Sequence, residues 1–388
     1  MTKRAKLQKL ASGKAASFCF HIRDVRVIRR AMRCFFVFLG FATQALGAGL
    51  GSYPHLVVAD SKGAARDSVR VTYLGTNGYQ FEFNRHVLLV DPYFSRVDLW
   101  RVALGSHIQP NATRIDNGLR HLACRNCRTD AVLVTHGHFD HLLDVAAVMA
   151  KTRARLIASP TSVSLIRRMP DANGLSADAV RPGDVRRVGP WKIRVLSAAH
   201  DRLFGKVPYD QPHSEADLAA EALVKEESPQ RAADWVCGQP LAFLIEVNGQ
   251  RIYIDSGGTA AQLPPNEQVD LAVLGVALPD SRARLRMALA RLQPRYILPS
   301  HQDDFFRPLS AGFQFAPLSD FSFVQRECAQ QNKSRLILLD YFRPWTLPKA
   351  ENRKGKFPNP KYIDHGSHAC LHRCGKQLRV GMTLINAV

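Results

Sequence analysis

The stretch Leu133-Val134-Thr135-His136-Gly137-His138-Phe139-Asp140-His141-Leu142-Leu143-Asp144 places three imidazoles and a carboxylate between His136 and His141. Imidazole nitrogens and carboxylate oxygens are the donors that zinc and similar divalent ions take. A lone histidine is ordinarily a satisfied core residue, but the pattern His-x-His-x-Asp-His is not one that composition produces by accident. In an extended segment side chains alternate, so His136 and His138 leave the same side. If the chain then enters a helix, Asp140 and His141 in its first turn reach back toward the same space. Three further apolar runs, 193–200, 251–255 and 295–301, close on His200, Asp255 and His301. Strand ends are where α/β proteins gather ligands and catalytic groups, so four strands bring seven candidate donors to one edge. The chain has no Gly-x-Ser-x-Gly elbow and no phosphate-cradling Gly-Lys-Ser/Thr loop that would point to another chemistry.

The elements that must carry these residues follow from the apolar patterning. Short β-branched or aromatic runs at 69–73, 79–83 and 87–90, separated by Gly-Thr-Asn-Gly and Asn-Arg, read as consecutive antiparallel strands. A polar loop is expected from 95 to 130, then a strand at 131–134, a helix at 142–151, a strand at 155–158 and a helix capped by Thr161 or Ser162. The second half repeats the alternation, with strands near 193–197, 241–247, 251–254, 271–276, 295–299 and 335–339, and helices near 280–292 and 318–331. Two strand-rich halves with helices for both outer faces predict an α/β fold, a four-layer αββα sandwich. The excursion 201–237, with a helix near 215–226, reads as a lid or surface appendage; its Arg202, Lys206 and Tyr209 are candidates to meet an anionic group.

In this order of features the sequence resembles the metallo-β-lactamase-fold hydrolase superfamily, over roughly residues 69–345. The resemblance implies that His136, His138 and His200 hold one metal ion, that Asp140, His141 and His301 hold a second, and that Asp255 bridges them. It also implies that Asp91, in Leu89-Val90-Asp91-Pro92, backs the site from outside the ligands. The expected chemistry is that of a dinuclear hydrolase, whose metal-bridging hydroxide attacks an ester, lactone or phosphodiester bond while Asp140 orients it. The two divalent ions are expected to be Zn²⁺, and the harder ligands of the second site also admit Mn²⁺ or Fe. Tyr73-Leu74-Gly75-Thr76-Asn77-Gly78 and His-x-His-Phe-Asp-His-Leu-Leu-Asp are most similar to the branch of sugar-phosphate lactonases and phospholipase-D-like enzymes acting on N-acyl phosphatidylethanolamine. The sequence departs from that branch after His200, Asp255 and His301; Gln302-Asp303-Asp304-Phe305-Phe306 stands where Trp-Gly-Thr-Phe is frequent. Asp303 and Asp304 are read either as acids supporting the site or as a helix cap or plain surface.

The chain has 388 residues, 46% hydrophobic and 22% charged, a composition that excludes a disordered, collagen-like or multi-span membrane protein. The net charge of +20 sits mainly at the ends. Residues 1–48 carry ten Lys/Arg against one acid and residues 349–388 eight against two, which leaves 35 bases and 30 acids between them. A nucleic-acid partner is therefore disfavoured, and a small-molecule or lipid-like substrate is expected. Arg29, Arg30 and Arg33 precede the short apolar run 34–42 and a small-residue exit, the pattern of an export signal. Periplasmic or secreted location follows as an expectation; the alternatives are an N-terminal membrane anchor or a cytoplasmic protein. Residues 1–48 form that signal or basic extension, 69–345 the catalytic domain and 349–388 a basic tail holding His365, His368, Cys370, His372 and Cys374. Cys124-x-x-Cys127 is open to a small disulfide, two free thiols or, with less support, structural zinc. Two other readings stand beside the hydrolase: a non-catalytic metal-binding scaffold, and a nucleic-acid-processing member of the same superfamily.

Overall fold

The computed structural model describes residues 48–59, 67–124, 126–203, 205–210, 227–256, 267–331 and 333–349. The export-like run, the helix expected at 215–226 and nearly all of the basic tail lie outside these residues. No helix among them is long and apolar enough to cross a membrane.

Strands β1 (Arg70–Gly75), β2 (Gly78–Phe83) and β3 (His86–Val90) form the expected antiparallel meander. The chain between β3 and β4 is not a plain loop. It contains helices α1 (Leu99–Ala103) and α2 (Ala112–Arg120), whose N-caps Asp98 and Asn111 accept the N–H groups of Arg101 and Arg114. The sequence hides α2 because only Ile115 and Gly118 are buried along it, too thin a stripe to give a helical period. Next come β4 (Arg128–Leu133), α3 (Phe139–Leu142), α4 (Val145–Thr152), β5 (Arg155–Ala158) and α5 (Pro160–Arg167). Helix α5 is capped by Ser159 rather than Thr161 or Ser162, because Pro160 already has the fixed φ suited to the first helical position.

Short strands β6 (Ala177–Ala179) and β7 (Val185–Val188) lead to β8 (Trp191–Ser197), β9 (Leu241–Val247), β10 (Gln250–Ile254) and β11 (Leu271–Gly275). Helix α6 (Pro279–Leu292), β12 (Tyr296–Ser300), α7 (Phe321–Ala329), β13 (Arg335–Leu336) and β14 (Trp345–Thr346) complete the fold. Strands β6, β7 and β14 were not legible, being short and either polar or bracketed by proline.

One sheet has the order β14-β1-β2-β3-β4-β5-β6 and the other β13-β12-β11-β10-β9-β8-β7. Leu88, Val90, Ala131 and Leu133 of the first sheet share a core with Ile193, Val195, Phe243 and Ile245 of the second, so the sheets pack face to face. Their alternate residues Val87, Leu89, Val132 and Val134 join Val145, Val148, Met149 and Ile166 of α4 and α5 in a second core. Helices α6 and α7 bury Leu285, Leu289, Leu292 and Val324 against the other sheet. Strands covered on both sides read as nearly continuous apolar runs, which is why the sequence shows them so plainly. The result is the expected helix–sheet–sheet–helix sandwich.

Candidate metal centre

Strand β4 ends at Leu133, and the chain bends at Thr135 and Gly137 before His138, which is itself extended at φ −64° and ψ 153° and caps the short helix α3. Gly137 makes this path possible. Its N–H donates to the Cys237 carbonyl at 2.9 Å, and a Cβ on it would stand 2.1 Å from the Val236 carbonyl oxygen. Asp140 and His141 then occupy the first turn of α3 and face back, as the spacing predicts.

Two groups of donors form. His136, His138 and His200 bring one ligand atom each to within 4.8 Å of one another, and so do Asp140, His141 and His301. The His136 ring lies 4.5 Å from His138, 4.7 Å from His200 and 4.0 Å from His141, so the groups adjoin. His136 Nε2 and His138 Nδ1 face each other at 2.9 Å, while Asp140 Oδ2 lies 2.9 Å from His301 Nε2 and 3.3 Å from His141 Nε2. Six of the seven expected donors are thus brought together. Asp255 is buried at the end of β10 and belongs to neither group; its carboxylate accepts the Tyr253 hydroxyl at 3.0 Å and the Gly275 N–H at 2.9 Å. Its neighbour Ser256 reaches within 3.5 Å of His141 Nε2.

The nitrogens turned away from these groups are tied down, as metal-binding imidazoles require if ring and tautomer are to be fixed. His138 Nε2 donates to the Pro208 carbonyl at 2.8 Å and His200 Nδ1 to the Asp201 carbonyl at 2.6 Å. His136 Nδ1 is 3.2 Å from the Thr135 hydroxyl, and His141 Nδ1 donates to Asp91 Oδ2 at 2.8 Å. Asp91 also accepts from Asn77 Nδ2, the Thr135 hydroxyl and the Thr135 N–H, at 2.7, 2.5 and 2.8 Å, and its φ of +42° marks a backbone held against its preference. Asp91 therefore backs the site as expected. Asn77, Thr135 and Pro208 were not singled out from sequence; only their position beside a motif residue could have suggested them.

Burial and the neighbouring imidazoles drive His136 well below the ordinary imidazole range, and they do the same to His138. His200, lowered chiefly by burial, falls to about 4. These three are neutral at pH 7 and present lone pairs, the state a metal needs. Burial also opposes charge on His141, but Asp140 and Asp91 outweigh it and hold it at about 10. Burial works against the Asp140 carboxylate too, and is outweighed by His141 and His301, which keep it well below the usual carboxylate range. Three lone-pair imidazoles match the donor chemistry of a divalent ion, and in the second set His141 would give up its proton on binding one beside the ionised Asp140 carboxylate.

Around the donors, Phe305 stands 5.0 Å from His301 and Tyr209 6.1 Å from His138. Arg202 and Lys206 are exposed. Asp303 is neither a cap nor surface but fully buried, and Asp304 is half-buried. Cys124 and Cys127 form a disulfide, which spends both sulfurs that a zinc ion would need.

A family model described as the beta-lactamase superfamily domain matches residues 86–284, just over half of the chain. A UPF0173 metal-dependent hydrolase of Pelotomaculum thermopropionicum is 23% identical over 242 residues, 60% of this chain and 84% of that protein. Another, from Myxococcus xanthus, is 25% identical over 192 residues; the match takes in 47% of this chain and spans only 58% of the relative's length. Among solved structures, a metallo hydrolase from the archaeon Ignicoccus hospitalis aligns with 73% of this chain and 99% of its own, at 17% identity and a TM-score of 0.45.

Proposed function

The chain belongs to the beta-lactamase superfamily, and from that premise we propose that it is a metal-dependent hydrolase with two divalent ions, zinc by default. The observation that carries the reading is the convergence of six donors from three separate strand ends into two adjoining groups. Two such ions, when bound, would lower the pKa of a coordinated water from far above neutrality toward ~7 and so supply a nucleophile at neutral pH.

The chain's own residues do the rest. His136 Nε2, His138 Nδ1 and the inward nitrogen of His200 would hold the first ion. Asp140, His141 Nε2 and His301 Nε2 would hold the second. Asp255 lies outside both groups and would join them as a ligand only through the resemblance, its carboxylate being oriented by the Tyr253 hydroxyl and the Gly275 N–H. Asp140, the only carboxylate in the two groups, would accept a hydrogen bond from the attacking water and fix its direction. Buried donors in a low-dielectric setting make each of these interactions stronger than it would be in water.

For substrate we favour a carboxylic ester, lactone or phosphodiester, on the similarity of the motif flanks to the lactonase and phospholipase-D-like branch. Phe305 and Tyr209 supply apolar walls suited to a small-molecule or lipid-like group. The basic and apolar N-terminal pattern supports a periplasmic or secreted site of action. The test is turnover of chromogenic phosphodiester, lactone and ester substrates by the full chain loaded with Zn²⁺, Mn²⁺ or Fe²⁺, before and after chelation. Chelator-sensitive turnover of one class is expected. Inactivity of fully loaded protein on all of them would favour a metal-binding scaffold instead.

A further inference from the structure

His301 is supported differently from the other four imidazoles. Among the described residues its Nδ1 is buried without a hydrogen-bond partner, whereas His136, His138, His141 and His200 all have a polar neighbour on the outward nitrogen. No outer hydrogen bond therefore steers the ring. What fixes it is the backbone, at φ +54° with its N–H donated to the Thr76 carbonyl at 2.7 Å, and the edge-on ring of Phe305.

That backbone is clamped two residues further on. The fully buried carboxylate of Asp303 accepts four hydrogen bonds: Oδ1 from the Tyr73 hydroxyl at 2.9 Å and the Thr76 N–H at 2.8 Å, Oδ2 from Arg96 Nη2 at 2.9 Å and the Tyr341 hydroxyl at 2.5 Å. Four is the full capacity of a carboxylate, so Asp303 has nothing left for a water, a substrate or an ion. Arg96 is equally enclosed, at φ +47°, between the rings of Tyr93 and Tyr341 at 5.8 Å each, and a Cβ on Gly75 would stand 1.7 Å from its Nη2. The Thr76 peptide is bonded on both sides, to His301 through its oxygen and to Asp303 through its nitrogen. A buried ion pair is a poor means of gaining stability alone, since apolar side chains of similar volume often serve as well. Its better-attested use is to fix one geometry.

We propose that Asp303, held by Arg96, is a positioning residue for His301: the Arg96–Asp303–Thr76 clamp sets the backbone that aims His301 Nε2, replacing the outer hydrogen bond that the other imidazoles have. This rests on the two-ion reading above. The test compares Asp303→Asn and Tyr341→Phe with the wild-type full chain, by stepwise Co²⁺ titration against a competing chelator, the visible spectrum of the Co²⁺ protein and thermal unfolding of the metal-free form. For Asp303→Asn the affinity for the second ion should fall 10–100-fold, a size typical of lost support around metal ligands. The first should stay within about threefold, and only the second ion's visible bands should shift. Tyr341→Phe, which keeps the ion pair, should change the second ion in the same direction by less. Unaltered second-ion affinity in Asp303→Asn overturns the proposal, as does equal loss of both ions in step with lost stability. If Asp303→Asn does not fold, Tyr341→Phe decides, and wild-type second-ion affinity in it overturns the proposal. Wild-type protein that takes up fewer than two ions would sink the two-ion reading itself, and this inference with it.

Discussion

Replacing His138 by alanine separates a metal centre from a histidine-rich core, because the two make opposite demands on the metal-free and loaded states. In the metal-free protein the buried ring makes one neutral hydrogen bond, to the Pro208 carbonyl, and faces His136 across 2.9 Å. Losing that bond costs about 1 kcal/mol and the small void roughly 1–2 kcal/mol, so the metal-free variant should unfold about 2–3 kcal/mol more easily. The loaded state loses far more. If ~10–16 kcal/mol of binding is shared by about four ligands, each is worth ~3–4 kcal/mol, or ~10²–10³-fold in affinity. Urea unfolding of chelator-stripped protein, repeated at a metal concentration 100 times the wild-type Kd, reads this directly. Wild type should gain ~2.7 kcal/mol and the variant no more than ~0.4 kcal/mol. A variant that loses stability but keeps the wild-type metal gain and metal content would refute the reasoning, since His138 would then be a packing residue.

Gly137→Ala should destabilise the protein by roughly 1–3 kcal/mol and lower its metal content, because the new Cβ meets the Val236 carbonyl; a variant within 0.5 kcal/mol of wild type in urea would contradict the close approach. Asp91→Asn leaves His141 Nδ1 without its charged partner and should weaken metal binding about 10–100-fold, checked by chelator competition. Burial lifts Asp144 from 3.8 to about 6 despite the hydrogen bonds it accepts from Phe94 and Ser95. The native state then holds this proton more tightly than the unfolded chain does, so the associated stability is complete below about pH 4 and is lost as pH rises through about 6. Relative to Asp144→Asn, wild type should lose up to about 3 kcal/mol between pH 4 and 7 in denaturant titrations, and parallel pH profiles would exclude the effect.

The site was legible where chemistry and period coincide. Seven residues could be named because each follows an apolar run, and the double burial of those strands makes the runs conspicuous. What was not legible depends on partners distant in sequence. Asp303 looked like a possible cap because sequence cannot show that Arg96 lies 207 positions away yet 2.9 Å distant. Pro208, which fixes the tautomer of His138, acts through its carbonyl, a group that every residue has. Helices α1 and α2 were missed for another reason: they bury so little that their caps are their only signal, and caps without a stripe look like turns.

His200, Asp255 and His301 reach one edge because of strand direction rather than sequence distance. Strand β8 is antiparallel to β9 and β9 to β10, two reversals that return β10 to the direction of β8. Strands β11 and β12 then run parallel to β10. The carboxyl ends of β8, β10 and β12 therefore open together. They meet the end of β4 through the Leu241 N–H donated to the Thr135 carbonyl at 2.7 Å, a bond between the sheets. Since a slip of one residue turns every side chain to the opposite face, the register of β12 has to be fixed against the other sheet. The Tyr79 hydroxyl on the Pro299 carbonyl and the Ser300 hydroxyl on Asn77 do this, at 3.2 and 2.5 Å. Asn77 in turn donates to Asp91, and Asp91 accepts from His141. The bonds that hold the sheets in register are thus continuous with those that orient His141, a candidate metal ligand, so the geometry of the site is set by the same contacts that close the fold.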